Sequence, residues 1–306
     1  MADWLWDGSG EPDDTERRLS EALRPLAVEP ECPPLPERPS LPERPRRRRI
    51  PAVIAVFAMA AGLLFALRGP GDWPVQATTG PCASGDCALG EGGRLSTGPG
   101  ESLQIEMNGK GHLELAEGSN LSREPDGEGH LLRLERGGLE LSWTGPPRGV
   151  RVETPAASVI DLGCAYSLFV DDEGTDLSVV NGTILLKNAL GESYVAGGSG
   201  ARARPGEPPA LPLRFDAEPG FAAAMEALDR GELAALPEAL ELARPEDLIT
   251  LWNLLARVPE AERPAVYAAI RRHVASLPET PSPALLALDG PARTALWQAL
   301  APLALR

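Results

Sequence analysis

The apolar residues of the chain follow three patterns, and the first is a continuous run. Residues 50–67, IPAVIAVFAMAAGLLFAL, carry no charge, and this length is about the minimum with which a helix spans a hydrocarbon core. Arginines at 44 and 46–49 precede the run, whereas Arg68 alone follows it closely. Because basic residues mark the cytoplasmic side, the pattern predicts one transmembrane helix with the N-terminus in the cytoplasm and everything after it outside. The arginine flank disfavours a soluble core helix, and the long polar segment before the run disfavours a cleaved signal peptide.

The second pattern is an alternation of apolar and polar residues between 102 and 206, which predicts an all-β domain. A short motif recurs within it, at Leu113–Gly118, Leu132–Gly137 and Leu177–Gly182. Each copy predicts a strand with its apolar residues on one face and a turn at its glycine, because glycine adopts positive φ without strain.

The third pattern, from 215 to 306, has the spacing of amphipathic helices and predicts an all-α module. Prolines between the apolar stripes mark the ends of the helices. We expect the stripes to form a core and not a ligand site. Their residues are Phe221, Met225 and Leu228; Leu248, Leu251, Trp252 and Leu255; Val266, Tyr267, Ile270 and Val274; and Leu296, Trp297 and Leu300.

Three further segments precede or separate these regions. Residues 1–30 are predicted to contain a short cytoplasmic helix, 31–49 a Pro- and Arg-rich linker, and 68–101 a Gly- and Pro-rich linker. A segment as short as the first cannot bury much surface alone, so its apolar face either binds a partner or is disordered. The partner-binding candidates on this face are Trp4, Leu5, Trp6, Leu19, Leu23 and Leu26.

Charge narrows the possible functions. The 306 residues include 29 Lys and Arg against 44 Asp and Glu, a net charge of −15. This balance argues against binding to nucleic acid, because attraction to phosphates needs a basic surface. The arginines within 44–49 are better explained by anionic lipid head groups.

No set of residues in the sequence has the spacing of a catalytic or metal site. His112, His130 and His273 have no Cys, Asp or Glu at the spacing of a metal pair and are expected at the surface. The acidic run at 171–176 could bind a cation, but such a run is more often a solvated turn. We therefore predict no enzymatic activity, no cofactor and no bound metal.

The cysteines divide by predicted compartment. Cys82 and Cys87 would lie outside the cytoplasm in a flexible loop, where they either close a small disulfide or stay separate thiols. Cys164 lies in an apolar strand and is expected to be a small buried hydrophobic residue.

One stretch of the β region resembles a known family. In residues 152–170, VETPAASVIDLGCAYSLFV, a Thr-Pro precedes a strand, and a glycine and an aromatic residue follow it; a second strand with a glycine turn comes next at 177–186. This arrangement is similar to the central motif of FecR-domain proteins, and the similarity covers residues 103–205. The motif residues are Thr154, Pro155, Asp161, Gly163, Cys164, Tyr166 and Gly182.

The resemblance implies a solenoid-like β domain in a regulator of sigma-factor signalling. In that family an N-terminal segment binds a sigma factor of the extracytoplasmic-function type, which implies such a partner for the cytoplasmic segment of this chain. Family members that answer to outer-membrane receptors end in an α/β receptor-contact subdomain, whereas this chain is predicted to be helical from residue 215. No receptor or siderophore signal is therefore implied.

The patterns together predict a multi-domain protein of the bacterial inner membrane. It has a cytoplasmic N-terminus, one transmembrane helix at 50–67, a periplasmic FecR-like β domain at 102–206 and an all-α domain at 215–306. The predicted function is regulation of sigma-factor signalling, as an anti-sigma factor or related regulator, with an extracytoplasmic sensor domain for an unknown periplasmic protein or ligand. The alternative is an envelope scaffold or binding protein that the N-terminus merely tethers.

Overall fold

The computed structural model describes residues 71–77, 82, 87–126 and 129–304. Outside these residues lie the linker at 31–49, the predicted membrane span at 50–67 and the candidates Trp4, Leu5, Trp6, Leu19, Leu23 and Leu26.

The described residues correct the predicted fold class of a membrane protein with one transmembrane helix. No helix within the described ranges is long and apolar enough to cross a membrane. The longest, Gly290–Ala304, has 15 residues, which is about 22 Å of helix against a hydrocarbon core of about 30 Å. The architecture found is a large β-sheet domain followed by a helical part.

Within the described ranges, fifteen strands form the β domain. They are β1 (Trp73–Ala77), β2 (Cys87–Leu89), β3 (Arg94–Ser96), β4 (Leu103–Glu106), β5 (Gly111–Leu115), β6 (Asn120–Glu124), β7 (His130–Trp143), β8 (Val150–Glu153), β9 (Ser158–Asp161), β10 (Ala165–Asp171), β11 (Gly174–Asn181), β12 (Thr183–Asn188), β13 (Gly191–Ala196), β14 (Ser199–Ala203) and β15 (Leu213–Arg214).

The sheet branches at β7, because the two halves of this long strand pair with different neighbours. The first half pairs with β6 and β8 and continues through β9, β12 and β13; this is the first arm. The second half pairs with β5 and β10 and continues through β11, β14 and β15; this is the second arm.

Gly137 lies where β7 switches from one arm to the other. It has φ +89°, and a Cβ there would overlap the Ser119 side chain. The predicted turn at Gly137 is therefore wrong, since the strand continues through it.

Both arms contribute to one hydrophobic core. Leu132 and Leu134 of the first arm and Leu139 and Leu141 of the second are all at most 2% exposed and belong to the same cluster. They alternate along β7 with polar or exposed residues. The period-two pattern of the sequence thus arises because one face of each arm is buried.

The solenoid-like architecture implied by the resemblance is wrong. A β-solenoid stacks its coils as parallel strands. Among the described strand pairs, only β7 and β8 run parallel, and the others are antiparallel. Short turns connect β8 to β9, β10 to β11 and β12 to β13 as hairpins, which forces antiparallel pairing.

The β structure begins before the predicted boundary at residue 102. Three strands, β1 to β3, lie within 68–101, which was predicted to be a linker. β1 pairs with β4, and its Trp73 and Val75 are buried in the core. The alternation in β1 is only five residues long, too short to be distinguished from the surrounding Gly- and Pro-rich sequence.

The helical part confirms the four apolar stripes. The helices are α1 (Pro219–Asp229), α2 (Leu236–Leu242), α3 (Leu248–Arg257), α4 (Arg263–His273), α5 (Pro283–Leu286) and α6 (Gly290–Ala304). The residues of the stripes lie on α1, α3, α4 and α6 or directly after them and form or border one buried cluster. The 3-10 turns Leu233–Ala235, Pro245–Asp247 and Glu260–Glu262 join some of the helices. The short α2 has no such stripe and escapes prediction.

The helical part packs on β13, the last strand of the first arm. The side-chain oxygen of Asn253 accepts from the Tyr194 amide (2.8 Å), and its nitrogen donates to the Tyr194 carbonyl (3.0 Å). The rings of Tyr194, Trp252 and Trp297 contact one another with centroids 5.0 to 5.3 Å apart. Asn253 thereby satisfies backbone groups that an edge strand would otherwise expose.

Candidate functional site

The motif residues that carry the FecR resemblance lie where the two arms meet. Thr154 follows β8, Asp161 ends β9, Tyr166 belongs to β10, and Gly182 separates β11 from β12. Pro155 and Gly163 are exposed, whereas Thr154, Asp161, Cys164 and Tyr166 are buried.

Thr154 joins the turn between β8 and β9 to the second arm. Its hydroxyl donates to the Ala157 carbonyl (2.8 Å) and accepts from the Ala157 amide (3.1 Å). The Thr175 hydroxyl of β11 lies 2.7 Å away. Because the one O–H of Thr154 already donates to the Ala157 carbonyl, Thr175 is the donor in this pair. One side chain thus closes a turn in the first arm and bonds to a strand of the second.

Asp161 is a fully buried carboxylate with one partnered oxygen. Its Oδ1 accepts from the Gly163 amide, whereas its Oδ2 has no hydrogen-bond partner in the described part of the chain. Burial raises the pKa of this carboxyl above its usual value.

Cys164 is an unreactive thiol. Its Sγ donates to the Thr183 carbonyl at 2.7 Å, and burial raises its pKa to about 12. Because the thiolate is the nucleophile, a thiol with this pKa does not react at neutral pH. The expectation that Cys164 is buried is confirmed.

Tyr166 places a second unpartnered polar atom in the same region. The residue is 2% exposed, and its hydroxyl has no hydrogen-bond partner among the described residues. Burial raises the pKa of the phenol, and nearby Asp161 and Cys164 raise it further. The phenol therefore stays protonated at neutral pH.

Gly182 is required by a close approach of two chain segments. It adopts φ +80°, and a Cβ at this position would overlap the Gly163 carbonyl oxygen and lie 3.0 Å from the Cys164 Cα. The motif residues thus hold the arms together in the interior, and their arrangement offers no accessible acid, base or nucleophile.

Cys82 and Cys87, the candidate disulfide, are bonded to each other, with their Cα atoms 5.2 Å apart. Cys87 lies on β2 opposite Val75 of β1. The bond therefore attaches Cys82 to β2, the terminal strand of the series β5, β4, β1 and β2.

Sequence reasoning missed the position of His130, which was expected at the surface. Its ring lies between Trp73 (5.0 Å) and Trp143 (5.5 Å), both edge-on, and Arg123 stacks over Trp73 at 4.0 Å. Burial lowers the pKa of His130, and the charge of Arg123 lowers it further. His130 shares a strand face with Leu132 and Leu134, so the alternation would have placed it inward. His112, in contrast, is exposed.

The described residues contain no group of three or more His, Cys, Asp or Glu side chains that could hold a metal ion. The acidic tip at 171–176 forms a turn in which Asp171 Oδ1 accepts from the amides of Glu173 (2.8 Å) and Gly174 (3.0 Å).

Residues 93–185 match the family model described as FecR protein. The chain carries a FecR domain. All seven motif residues lie inside the matched range, so the resemblance is confirmed. The FecR domain contains the branch point of the sheet and the contacts of Thr154, Asp161 and Gly182.

Solved structures with similarity to the chain include two crystal structures titled "putative anti-sigma factor", both from Parabacteroides distasonis. Each is 17% identical over 43% of this chain, with a TM-score of 0.35, and the match spans 63% of the other chain. A comparison with curated proteins gives no match.

Proposed function

We propose that the chain regulates sigma-factor signalling and is not an enzyme. The observation that carries the proposal is the FecR match at residues 93–185, because FecR-type proteins are regulators. The buried motif agrees with this function, since its ionisable groups are closed to a substrate.

The proposed partner is a sigma factor of the extracytoplasmic-function type, bound by the N-terminal segment. Its apolar candidates are Trp4, Leu5, Trp6, Leu19, Leu23 and Leu26. An apolar face on a segment too short to bury it alone suits a helix-in-groove contact, in which a partner supplies the missing core.

The proposed location of the FecR domain and the helical part is periplasmic, at the inner membrane of a bacterium, with the N-terminal segment in the cytoplasm. The bond between Cys82 and Cys87 supports this location, because disulfides persist in oxidising compartments and are rare in the cytosol.

The proposed sensor is the β domain, which contains the FecR match at residues 93–185, together with the helical part. The two Asn253 bonds to Tyr194 and the bond from the Thr250 hydroxyl to the Pro212 carbonyl (2.8 Å) join them. Because these bonds connect the two parts, a periplasmic protein or ligand that binds to one part would also affect the other.

A split-reporter assay in bacteria tests the sigma-factor proposal. The full chain carries one reporter fragment at its N-terminus, and each sigma factor of the host carries the other. We expect a signal with at least one extracytoplasmic-function sigma factor, its loss in Trp4→Ala/Trp6→Ala, and its retention in the matched control Glu11→Ala/Glu16→Ala. No partner, together with unchanged transcripts after deletion of 1–49, would contradict the proposal and favour the envelope scaffold.

A further inference from the structure

The outward face of the second arm carries an unusual set of side chains within the FecR domain. On adjacent strands, Glu114 of β5 lies opposite Glu140 of β7, and Glu140 lies opposite Ser167 of β10. In the neighbouring row, Gly138 of β7 lies opposite Phe169 of β10. We call these five residues the acidic-aromatic face.

A shallow groove of about 220 Å³ opens on this face. Gly138 leaves its floor without a side chain: a Cβ there would lie 3.2 Å from the Ala116 Cβ and 3.8 Å from the Phe169 ring. Phe169 forms the wall and is 53% exposed. An aromatic ring that is half in water on the middle of a sheet face loses the stabilisation that burial would give it.

The two glutamates add a second unfavourable feature. They are directly opposite on neighbouring strands, where like charges destabilise a sheet. Neither has an ion-pair partner among the described residues. Asp176, further along the groove, differs because Arg202 lies 3.3 Å from it. The face thus has two uncompensated negative charges beside an exposed ring.

We propose that the acidic-aromatic face binds an arginine-bearing segment of a partner protein. A guanidinium would interact with the two carboxylates and the exposed ring at once. Its N–H groups pair with carboxylates, and its plane stacks on an aromatic ring. A metal ion fits less well, because calcium takes six to eight oxygen ligands and an aromatic ring supplies none. Phosphate-bearing polymers would be repelled by the carboxylates.

The surface available to the partner segment continues along the row of register partners that contains Glu114 and Glu140. Glu140, Ser167, Ser178 and Gly200 are register partners in succession across β7, β10, β11 and β14. Phe215 is 65% exposed and reaches over Gly200, whose Cβ position is 3.2 Å from its ring. From Glu114 to Gly200 there are four strand spacings, roughly 19 Å, which about six extended residues span. The partner segment therefore carries an apolar residue about five positions from its arginine.

Fluorescence anisotropy with the full chain tests this proposal, which is independent of the proposed sigma-factor contact at residues 1–49. The probe is a labelled, end-capped peptide, Arg-Ser-Gly-Ser-Gly-Leu, at low ionic strength. Replacing its arginine by citrulline, which has the same shape without the charge, should weaken binding at least tenfold. Glu114→Gln/Glu140→Gln and Phe169→Ser should each weaken it about tenfold, the equivalent of about 1.4 kcal/mol.

The matched control is Glu226→Gln/Glu241→Gln, which removes the same charge from exposed positions on α1 and α2. We expect this variant to bind within twofold of the native chain. Equal weakening in the control would show attraction to net charge alone and would overturn the site. Absence of binding by the native chain, or displacement of the peptide by calcium, would also overturn it.

Discussion

Two clusters of the FecR domain depart from the usual placement of polar and apolar groups, in opposite directions. In the interior, Asp161 and Tyr166 bury polar atoms that have no hydrogen-bond partner among the described residues. On the acidic-aromatic face, Phe169 exposes its ring, and Glu140 lies opposite Glu114. Neither glutamate has an ion-pair partner among the described residues. The first cluster is enclosed by both arms, whereas the second faces solvent.

The residues that identify the family therefore differ from the residues that can bind a partner protein. The interior motif is recognisable in sequence because turns and close approaches admit few residue types, as at Gly182. The side chains proposed to bind on the exterior face, Glu114, Glu140 and Phe169, lie on the outward face of the sheet, where close packing does not dictate the residue type. The four predictions below follow from this division, in order of decreasing effect.

The largest effect is expected for Gly182→Ala. The added Cβ would overlap the Gly163 carbonyl at φ +80°, and we expect a loss of about 2–4 kcal/mol in the unfolding free energy. Gly206→Ala is the matched control, since Gly206 also has φ +80° but no atom within 4 Å of the Cβ position. It should lose only about 1 kcal/mol. Equal losses in urea denaturation would show that the close approach has no role.

Thr154→Ala should destabilise the fold by about 1–3 kcal/mol. The substitution leaves the Thr175 hydroxyl and the Ala157 amide buried without their partner. Thr144→Ala, which removes an exposed hydroxyl bonded to the Lys110 carbonyl, should change stability by less than about 0.5 kcal/mol. A Thr154 effect as small as the control would contradict the role of Thr154 in joining the arms.

Glu140→Gln should stabilise the fold slightly, by about 0.2–1 kcal/mol, because it removes a like-charge pair. The same variant should bind the arginine probe more weakly. A gain of stability together with a loss of binding is the result expected for a residue whose role is binding and not stability. Glu241→Gln, at an exposed position of α2, should change neither quantity.

The smallest effect concerns pH. The pKa of His130 in the folded protein lies below that of the unfolded chain, so the unfolded chain takes up the proton first as pH falls. The stability that His130 contributes is therefore complete above about pH 6.5 and is lost below it. His130→Gln should flatten the fall in stability between about pH 7 and 5.5, by a few tenths of a kcal/mol because the ring is partly solvated. An equally steep fall in His130→Gln would contradict this prediction.

Much of the local structure could be predicted from the alternation of residues. Positive φ at Gly118 (+68°) and Gly182 (+80°) is confirmed. The turn at Gly137 was wrong because a bent, continuous strand and a turn require the same φ from glycine. The helical stripes were recognisable because each lies on one element.

The acidic-aromatic face could not be predicted from the sequence. Residues 114, 140 and 169 are far apart in the chain, and only the pairing of β5, β7 and β10 brings them together. The alternation predicts that each faces outward, but it does not predict which strands are neighbours. The disulfide was left open for a similar reason, since spacing alone does not show whether β1 and β2 pair.

The most direct test compares Thr154→Ala and Glu140→Gln by urea denaturation of the full chain under one set of conditions. We expect changes of opposite sign in the unfolding free energy. Thr154→Ala should lower it, because the Thr154 hydroxyl joins the arms. Glu140→Gln should raise it, because the substitution relieves a repulsion on the exposed face. Destabilisation by both substitutions would contradict the division between stabilising residues in the interior and binding residues on the outer face. The outer Glu140 would then contribute to the stability of the fold.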